Sequence, residues 1–197
     1  MAGAAGVVLA AGAGTRFGGP KALARLDGER LVDRAVATLR AGGCSDVVVV
    51  QGAAPLDGLD ATLVDNPQWA TGMGSSLRAA LHHLASGVAE AAVVLLVDTP
   101  WVGSGAVARL LEAVAASDAA SGAWLAAQVT YGGVPGHPVL LRRAGWDAVA
   151  DDAVGDRGAR AWLRAHPDLV LDVPCDGTGD PRDVDRPTDL IRGRSPA

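Results

Sequence analysis

Val7-Val8-Leu9-Ala10-Ala11-Gly12-Ala13-Gly14-Thr15-Arg16-Phe17-Gly18-Gly19-Pro20-Lys21 is the stretch whose reading decides the fold. A short apolar run ends abruptly in glycines, an arginine, a proline and a lysine. The run is hydrophobic on both faces, so it reads as a buried strand of the parallel kind. Glycines remove side chains and permit positive φ. Backbone N–H groups in such a loop can turn inward around phosphate oxygens. Arg16 and Lys21 add two fixed cations. Strand, loop and cations together read as a nucleoside triphosphate site; taken singly, they make an ordinary glycine-rich β–α loop.

Two better-known glycine loops are excluded. In the dinucleotide pattern G-x-G-x-x-G, Gly12 and Gly14 fit but Phe17 stands where the third glycine belongs. In the P-loop G-x-x-x-x-G-K-[ST], Gly14 and Gly19 have the spacing, but Pro20 replaces the lysine and Ala22 follows Lys21 in place of a hydroxyl.

The chain has 197 residues, 49% of them hydrophobic, which suits one domain with a sizeable core. A net charge of −5 implies no basic surface for nucleic acid, so an anionic ligand must be met by local cations. Lysine is nearly absent and arginine takes its place. Cys44 and Cys175 are isolated and form no C-x-x-C pair, so no disulfide framework is expected. No positively charged leader precedes Val7 and no apolar run reaches membrane-spanning length. The expectation is a cytoplasmic enzyme with neither membrane nor nucleic-acid partner.

Beyond the loop, strands alternate with helices. Leu31, Ala35, Val36 and Leu39 recur at helical spacing, and Gly42-Gly43 stops them. Val47–Val50, residues 61–64 and the strong apolar run 91–97 read as strands. A helix from Ser75 presents Leu77, Ala80, Leu81 and Leu84. Val107, Leu110, Leu111 and Val114 mark another. Residues 124–129, 138–141 and 169–173 read as further strands, 146–149 and 159–163 as short helices, and the tail beyond Leu190 as frayed. This alternation predicts a mostly parallel sheet wrapped by helices.

In open parallel sheets, ligands bind at the carboxyl ends of the strands. Asp98-Thr99-Pro100 follows the strongest strand, so Asp98 is either a carboxylate for a metal on triphosphate oxygens or a turn residue. Two glycines and two serines, Gly72, Gly74, Ser75 and Ser76, precede the helix of Leu77; small residues let a ligand approach, and Ser75 or Ser76 can instead simply cap. Pro135-Gly136-His137-Pro138 is a tight entry to a strand. His137 there is either a ligand contact or a turn residue. Arg157 and Arg160 flank Gly158 near a helix start and suit a phosphate, unless Asp156 merely caps a solvated helix.

The run from Leu9 to Lys21 closely resembles the signature L-A-[AG]-G-x-x-x-R-[MF]-G-x-x-K of the MobA-like nucleotidyltransferases. Asp98-Thr99-Pro100 matches that family's D-x-P element, and Asp183-Val184-Asp185-Arg186-Pro187-Thr188-Asp189-Leu190 looks like its closing D-[IV]-D-T-P-E-D-L. The run from Asn66 to Leu77, with Ala11 and the runs 133–138 and 155–160, narrows the resemblance to the molybdenum cofactor cytidylyltransferases. The resemblance spans nearly the whole chain. It implies an α/β, three-layer, Rossmann-like nucleotidyltransferase fold over residues 1–197, with a nucleotide-binding half at about 1–100 and an acceptor-binding half at about 101–190.

The resemblance also implies roles. Arg16 stabilises leaving pyrophosphate, and Lys21 sits on the α-phosphate or the incoming acceptor. Asp98 and Asp185 hold Mg²⁺, or Mn²⁺. Leu9, Ala10, Ala11, Gly12 and Gly14 seat base and phosphates, with Gly74, Ser75 and Ser76 on the base edge or ribose. His137, Arg157 and Arg160 face the acceptor. Thr188 caps a terminal helix, with Asp183 and Asp189 structural. The implied substrates are CTP and a molybdopterin-type cofactor, with a molybdoenzyme or its chaperone as recipient. Two other readings remain: a guanylyltransferase or a nucleotidyltransferase for another phosphorylated small molecule, and a non-catalytic nucleotide- or cofactor-handling protein. The five tryptophans, Trp69, Trp101, Trp124, Trp146 and Trp162, read as packing residues.

Overall fold

Seven strands form one sheet in the computed structural model of the chain, which describes residues 3–119 and 123–192. In chain order the elements begin with β1 (Ala4–Leu9), a small hairpin β2 (Arg25–Leu26) and β3 (Glu29–Arg30), α1 (Leu31–Ala41), β4 (Val47–Gln51) and β5 (Thr62–Asp65). They continue with α2 (Met73–Ala85), β6 (Ala91–Leu96), α3 (Ser104–Ala119), β7 (Ala126–Tyr131) and β8 (Val134–Arg142). The last are α4 (Trp146–Asp152), α5 (Arg160–Ala165), β9 (Val170–Pro174) and α6 (Pro187–Arg192). The sheet order is β5-β4-β1-β6-β8-β7-β9, and β8 alone runs against the rest.

The central strands are apolar because both their faces are covered. Val8, Val93 and Leu95 point into a core shared with α1 and α3. Val7, Val94 and Leu141 point into a second core with α2, α4 and α5. On α1 the apolar spacing buries Leu31, Val32, Ala35, Val36 and Leu39, and the helix stops before Gly42-Gly43. Both cysteines are free and buried. Burial pushes the Cys44 thiol up to about 12, which makes it inert at neutral pH.

The structure revises several expectations. β8 begins at Val134 rather than 138, because Gly132 and Gly133 (φ 57° and 77°) form a two-residue hairpin turn that pairs it with β7 at once. The pairing then slips: Gln128 faces Val139 while Val129 faces Gly136, so His137 and Pro138 bulge out of the ladder. Pro138 has no N–H to pair, which suits it to a bulge. The β2–β3 hairpin is an addition to the sequence reading, although its Asp27-Gly28 turn is visible as a dipeptide. α2 starts at Met73, two residues before Ser75. Helix α6 carries Ile191 and Arg192 beyond the point where the sequence suggests fraying; residues 193–197 lie outside those described.

Candidate active site

β1 delivers the glycine loop to the carboxyl edge of the sheet. The Gly14 carbonyl accepts three N–H groups, from Phe17, Gly18 and Gly19, at 2.9, 2.9 and 3.1 Å. That tight turn has φ +60° at Gly14, and a Cβ there would lie 2.0 Å from the Gly19 carbonyl oxygen, so only glycine is tolerated. Among the described residues, the N–H groups of Gly12 through Thr15 donate to no protein acceptor. They form an open row of donors beside the cleft.

Asp98 follows β6 and Asp185 lies far downstream, yet Lys21 bridges them. Its Nζ donates to Asp98 Oδ2 at 2.9 Å and to Asp185 Oδ1 at 3.3 Å. Arg16 donates to the other Asp185 oxygen at 3.3 Å. What brings Asp185 here is a strap of backbone along residues 98–103. Val184 N–H donates to the Asp98 carbonyl at 2.8 Å, and Asp180 N–H to that of Trp101 at 3.0 Å. At Gly179, φ is +144° and a Cβ would stand 2.5 Å from the Trp101 carbonyl oxygen, so the strap closes only on glycine.

The start of α6 fixes Asp185 in turn. Asp189 Oδ2 accepts the N–H groups of Asp185 at 3.0 Å and Arg186 at 2.7 Å, and Pro187 opens the helix. The cap is therefore Asp189, reaching back from the first turn. Thr188, expected to cap, lies inside the helix. Burial alone would pull the Lys21 ammonium down, but the Asp98 charge and hydrogen bond, reinforced by Asp185, hold its pKa above the usual lysine range. That pairing is fully stabilising below the ordinary lysine value and is lost only as pH rises through the higher folded one.

One cleft of about 1040 Å³ runs from the glycine loop across the sheet to β9. Leu9, Ala11, Gly12, Gly14, Arg16, Lys21, Asp98 and Asp185 line its first part, and His137, Arg157 and Arg160 its second. Of the expected site residues, Ala10, Gly74 and Ser75 do not line it. Ala10 is buried in the opposite core. Gly74 lies against the Ala153 carbonyl, where a Cβ would be 2.3 Å from its oxygen. The single Ser75 hydroxyl proton is shared between the Gln68 and Gly72 carbonyls, and its Oγ accepts from Asn66 Nδ2. Ser76 remains at the cleft: Asn66 donates to its Oγ at 3.0 Å, leaving its hydroxyl proton uncommitted.

His137 is half-buried, with Nδ1 3.4 Å from the Val94 carbonyl oxygen. Burial pulls its pKa below the usual value and Arg160 adds to the effect, so the imidazole is neutral at pH 7. Trp69, read from sequence as packing, also lines the cleft, as do Gln128 and Asp172, which sequence reasoning did not single out. Trp124, Trp146 and Trp162 are buried as expected.

A divalent cation fits the donor set. Asp98 and Asp185 offer hard carboxylate oxygens around one point, the chemistry that Mg²⁺ or Mn²⁺ takes. Among the described residues no group of three or more acidic, histidine or cysteine side chains forms a complete cage, so phosphate oxygens and water would fill the other positions.

A three-layer α/β fold with a glycine loop and an aspartate at strand ends, and a lysine bridging that aspartate to a second one in the strap before α6, is that of a nucleotidyltransferase-type enzyme. The chain belongs to the family of the MobA-like NTP transferase domain, which it matches over residues 6–170. It is 37% identical to the nicotine blue oxidoreductase of Paenarthrobacter nicotinovorans, across 95% of this chain and 94% of that protein. The crystal structure of Rv0371c from Mycobacterium tuberculosis H37Rv superposes with a TM-score of 0.76 at 26% identity, covering 96% of this chain and 97% of that one. The same protein has been crystallised in complex with manganese (TM-score 0.73, 25% identity, 96% and 97% covered). The 2-C-methyl-D-erythritol 4-phosphate cytidylyltransferase of Thermus thermophilus shares the fold, with a TM-score of 0.65 at 21% identity over 94% of this chain and 95% of that one. These likenesses reach the family; they do not single out the molybdenum cofactor cytidylyltransferases within it. No helix among the described residues is long and apolar enough to cross a membrane.

Proposed function

We propose that this chain transfers CMP from CTP to a molybdopterin-type cofactor and releases pyrophosphate. The observation that carries the reading is Lys21 held between Asp98 and Asp185 at the mouth of an open glycine loop. Residues of about 1–100 serve the nucleotide and those of about 101–190 the acceptor. An oxygen of the acceptor phosphate bonds to the α-phosphorus, and the bond from that phosphorus to the bridging oxygen of pyrophosphate breaks. The acceptor phosphate is already ionised at neutral pH, so no general base is needed. Catalysis is then positioning and electrostatics. The loop N–H groups orient the phosphates, Lys21 neutralises the approach of two anions, and Arg16 takes up charge on the leaving pyrophosphate. Asp98 and Asp185 would hold Mg²⁺ or Mn²⁺, which would supply positive charge to offset that of the triphosphate.

CTP is favoured over GTP by the Ala11 methyl, which lines the cleft and narrows it beside the loop. A pyrimidine, one ring smaller, tolerates that better. Ser76 adds a free hydroxyl proton for one base pattern over another. The 37% identity to the nicotine blue oxidoreductase supports a second reading, an oxidoreductase using the same cleft.

One scan separates these. All four nucleoside triphosphates are tested with Mg²⁺, with and without purified molybdopterin cofactor, and pyrophosphate is measured. Cofactor-dependent pyrophosphate release, fastest with CTP, is expected. Faster release with GTP would overturn the cytidylyltransferase reading and leave nucleotidyl transfer standing. Redox turnover of a dye substrate with no pyrophosphate from any triphosphate would favour the oxidoreductase.

A further inference from the structure

Lys21 stands between the two carboxylates that a divalent cation would use. Of the four oxygens of Asp98 and Asp185, three carry a cation. Lys21 Nζ lies 2.9 Å from Asp98 Oδ2 and 3.3 Å from Asp185 Oδ1, and Arg16 lies 3.3 Å from Asp185 Oδ2. Both oxygens of Asp185 are thus engaged, and a dication bridging the two aspartates must take one from a cation that holds it. Charge opposes this as much as geometry does. Two carboxylates against one ammonium and one guanidinium sum to zero. A dication added to that cluster leaves an excess of positive charge at close quarters, where partial burial weakens screening. The two resident cations are unequal competitors. The Arg16 side chain is 78% exposed and touches one carboxylate, whereas Lys21 is 16% exposed and touches both.

We infer that Lys21 guards the metal ligands: it holds Asp98 and Asp185 against a divalent cation arriving alone, and yields them to one that arrives with a polyphosphate, whose oxygens give the ammonium a new partner. The polyphosphate rests on the proposed nucleotidyl-transfer reading; the competition rests on the side-chain geometry. The exchange is local. Lys21 N lies against the Gly14 turn, where a Cβ on Gly14 would stand 3.3 Å from it, and the N–H groups of Gly12 through Thr15 form the open row next to that turn. An anion on the row comes within reach of the flexible four-carbon arm of Lys21 with no movement of its backbone. Metal binding is then conditional on substrate rather than on metal supply.

The test needs no nucleotide. Mn²⁺ alone is titrated into the protein, and free Mn²⁺ is followed by electron paramagnetic resonance. Lys21→Ala should bind Mn²⁺ about tenfold more tightly than the wild type, the worth of one hydrogen bond between charged groups. Arg16→Ala, which removes the same formal charge, should change the affinity less than about threefold, as for an exposed pair. A lysine that merely braced the aspartates would weaken metal binding on removal. Equal affinity in wild type and Lys21→Ala, a loss there, or an equal gain in Arg16→Ala overturns the inference. A second measurement uses the wild type itself. Lys21 is the single lysine of the chain, so nitrogen-15 lysine labelling gives one side-chain ammonium signal. Filling the site with Mg²⁺ should speed exchange of that ammonium with water; an ammonium that stays protected as the site fills overturns the inference. Tighter Mn²⁺ binding in Lys21→Ala, in a protein that releases no pyrophosphate from any triphosphate, would sustain the competition at the aspartates while removing the nucleotidyl-transfer reading.

Discussion

The two ends of the cleft arrange their charges in opposite ways. At the glycine loop, cations and carboxylates are already paired: Lys21 with Asp98 and Asp185, Arg16 with Asp185. Each side chain there is positioned by its neighbours, and Asp185 by a capped helix as well. At the β9 end, Arg157, Arg160 and Asp172 stand in one cleft without pairing to each other. The first end is preorganised, so it suits chemistry shared by every turnover. The second depends on its ligand for satisfaction, so it suits recognition.

The largest effect should come from removing a carboxylate at the paired end. Asp98→Ala should lower turnover on the order of 10³-fold, the upper range for one lost electrostatic group, while circular dichroism shows an unchanged fold. Chelation should abolish activity and added Mg²⁺ or Mn²⁺ restore it. Near wild-type turnover in Asp98→Ala would break the contrast at its stronger side.

Next comes Lys21. It is the single lysine among 17 basic residues, in a chain that otherwise uses arginine. A compact ammonium and a planar guanidinium fork place their donors differently, so the two are not interchangeable between Asp98 and Asp185. Lys21→Ala should cost on the order of 10²-fold in rate, Lys21→Arg should recover little of it, and Arg16→Ala should fall in the same range. Full activity in Lys21→Arg would show that charge alone, and not shape, matters here.

At the unpaired end the effect should move from rate to affinity. Arg157→Ala or Arg160→Ala should raise the acceptor KM about tenfold, the scale of one charged hydrogen bond, and leave triphosphate binding alone. A drop in kcat with unchanged KM would instead place these arginines in the chemistry.

The smallest effect concerns His137, which lies between the ends. Its folded pKa is below the usual value, so the unfolded chain takes up a proton first as pH falls through about 6.5. Stability should decline below that pH, and the decline should be shallower in His137→Gln. Parallel melting curves from pH 5 to 7.5 check this; identical slopes would show that His137 is not the group responsible.

The paired end was legible in the sequence because its parts are local: a strand, a glycine turn and two cations within fifteen residues, and an acid straight after an apolar run. Asp185 was reached by resemblance, since its approach depends on backbone bonds between distant segments. At the other end, the β8 bulge that presents His137 is a slip of register, and no periodicity encodes it. Gln128 and Asp172 become a pair only because β9 lies beside β7. Ser75 and Ser76 are adjacent and chemically alike, and only the partners of each hydroxyl show which one faces the cleft.

The strap that carries Asp185 also sets a clock. Lys21 and Asp185 are 164 positions apart. A ribosome adding about 5–20 residues per second needs roughly 8–30 seconds to travel between them. Through that interval the glycine loop and Lys21 exist without Asp185, and for its first 77 residues without Asp98 as well. On the proposed reading, a nascent chain has the residues of its glycine loop early and still cannot turn over, because Asp185 leaves the ribosome long after them.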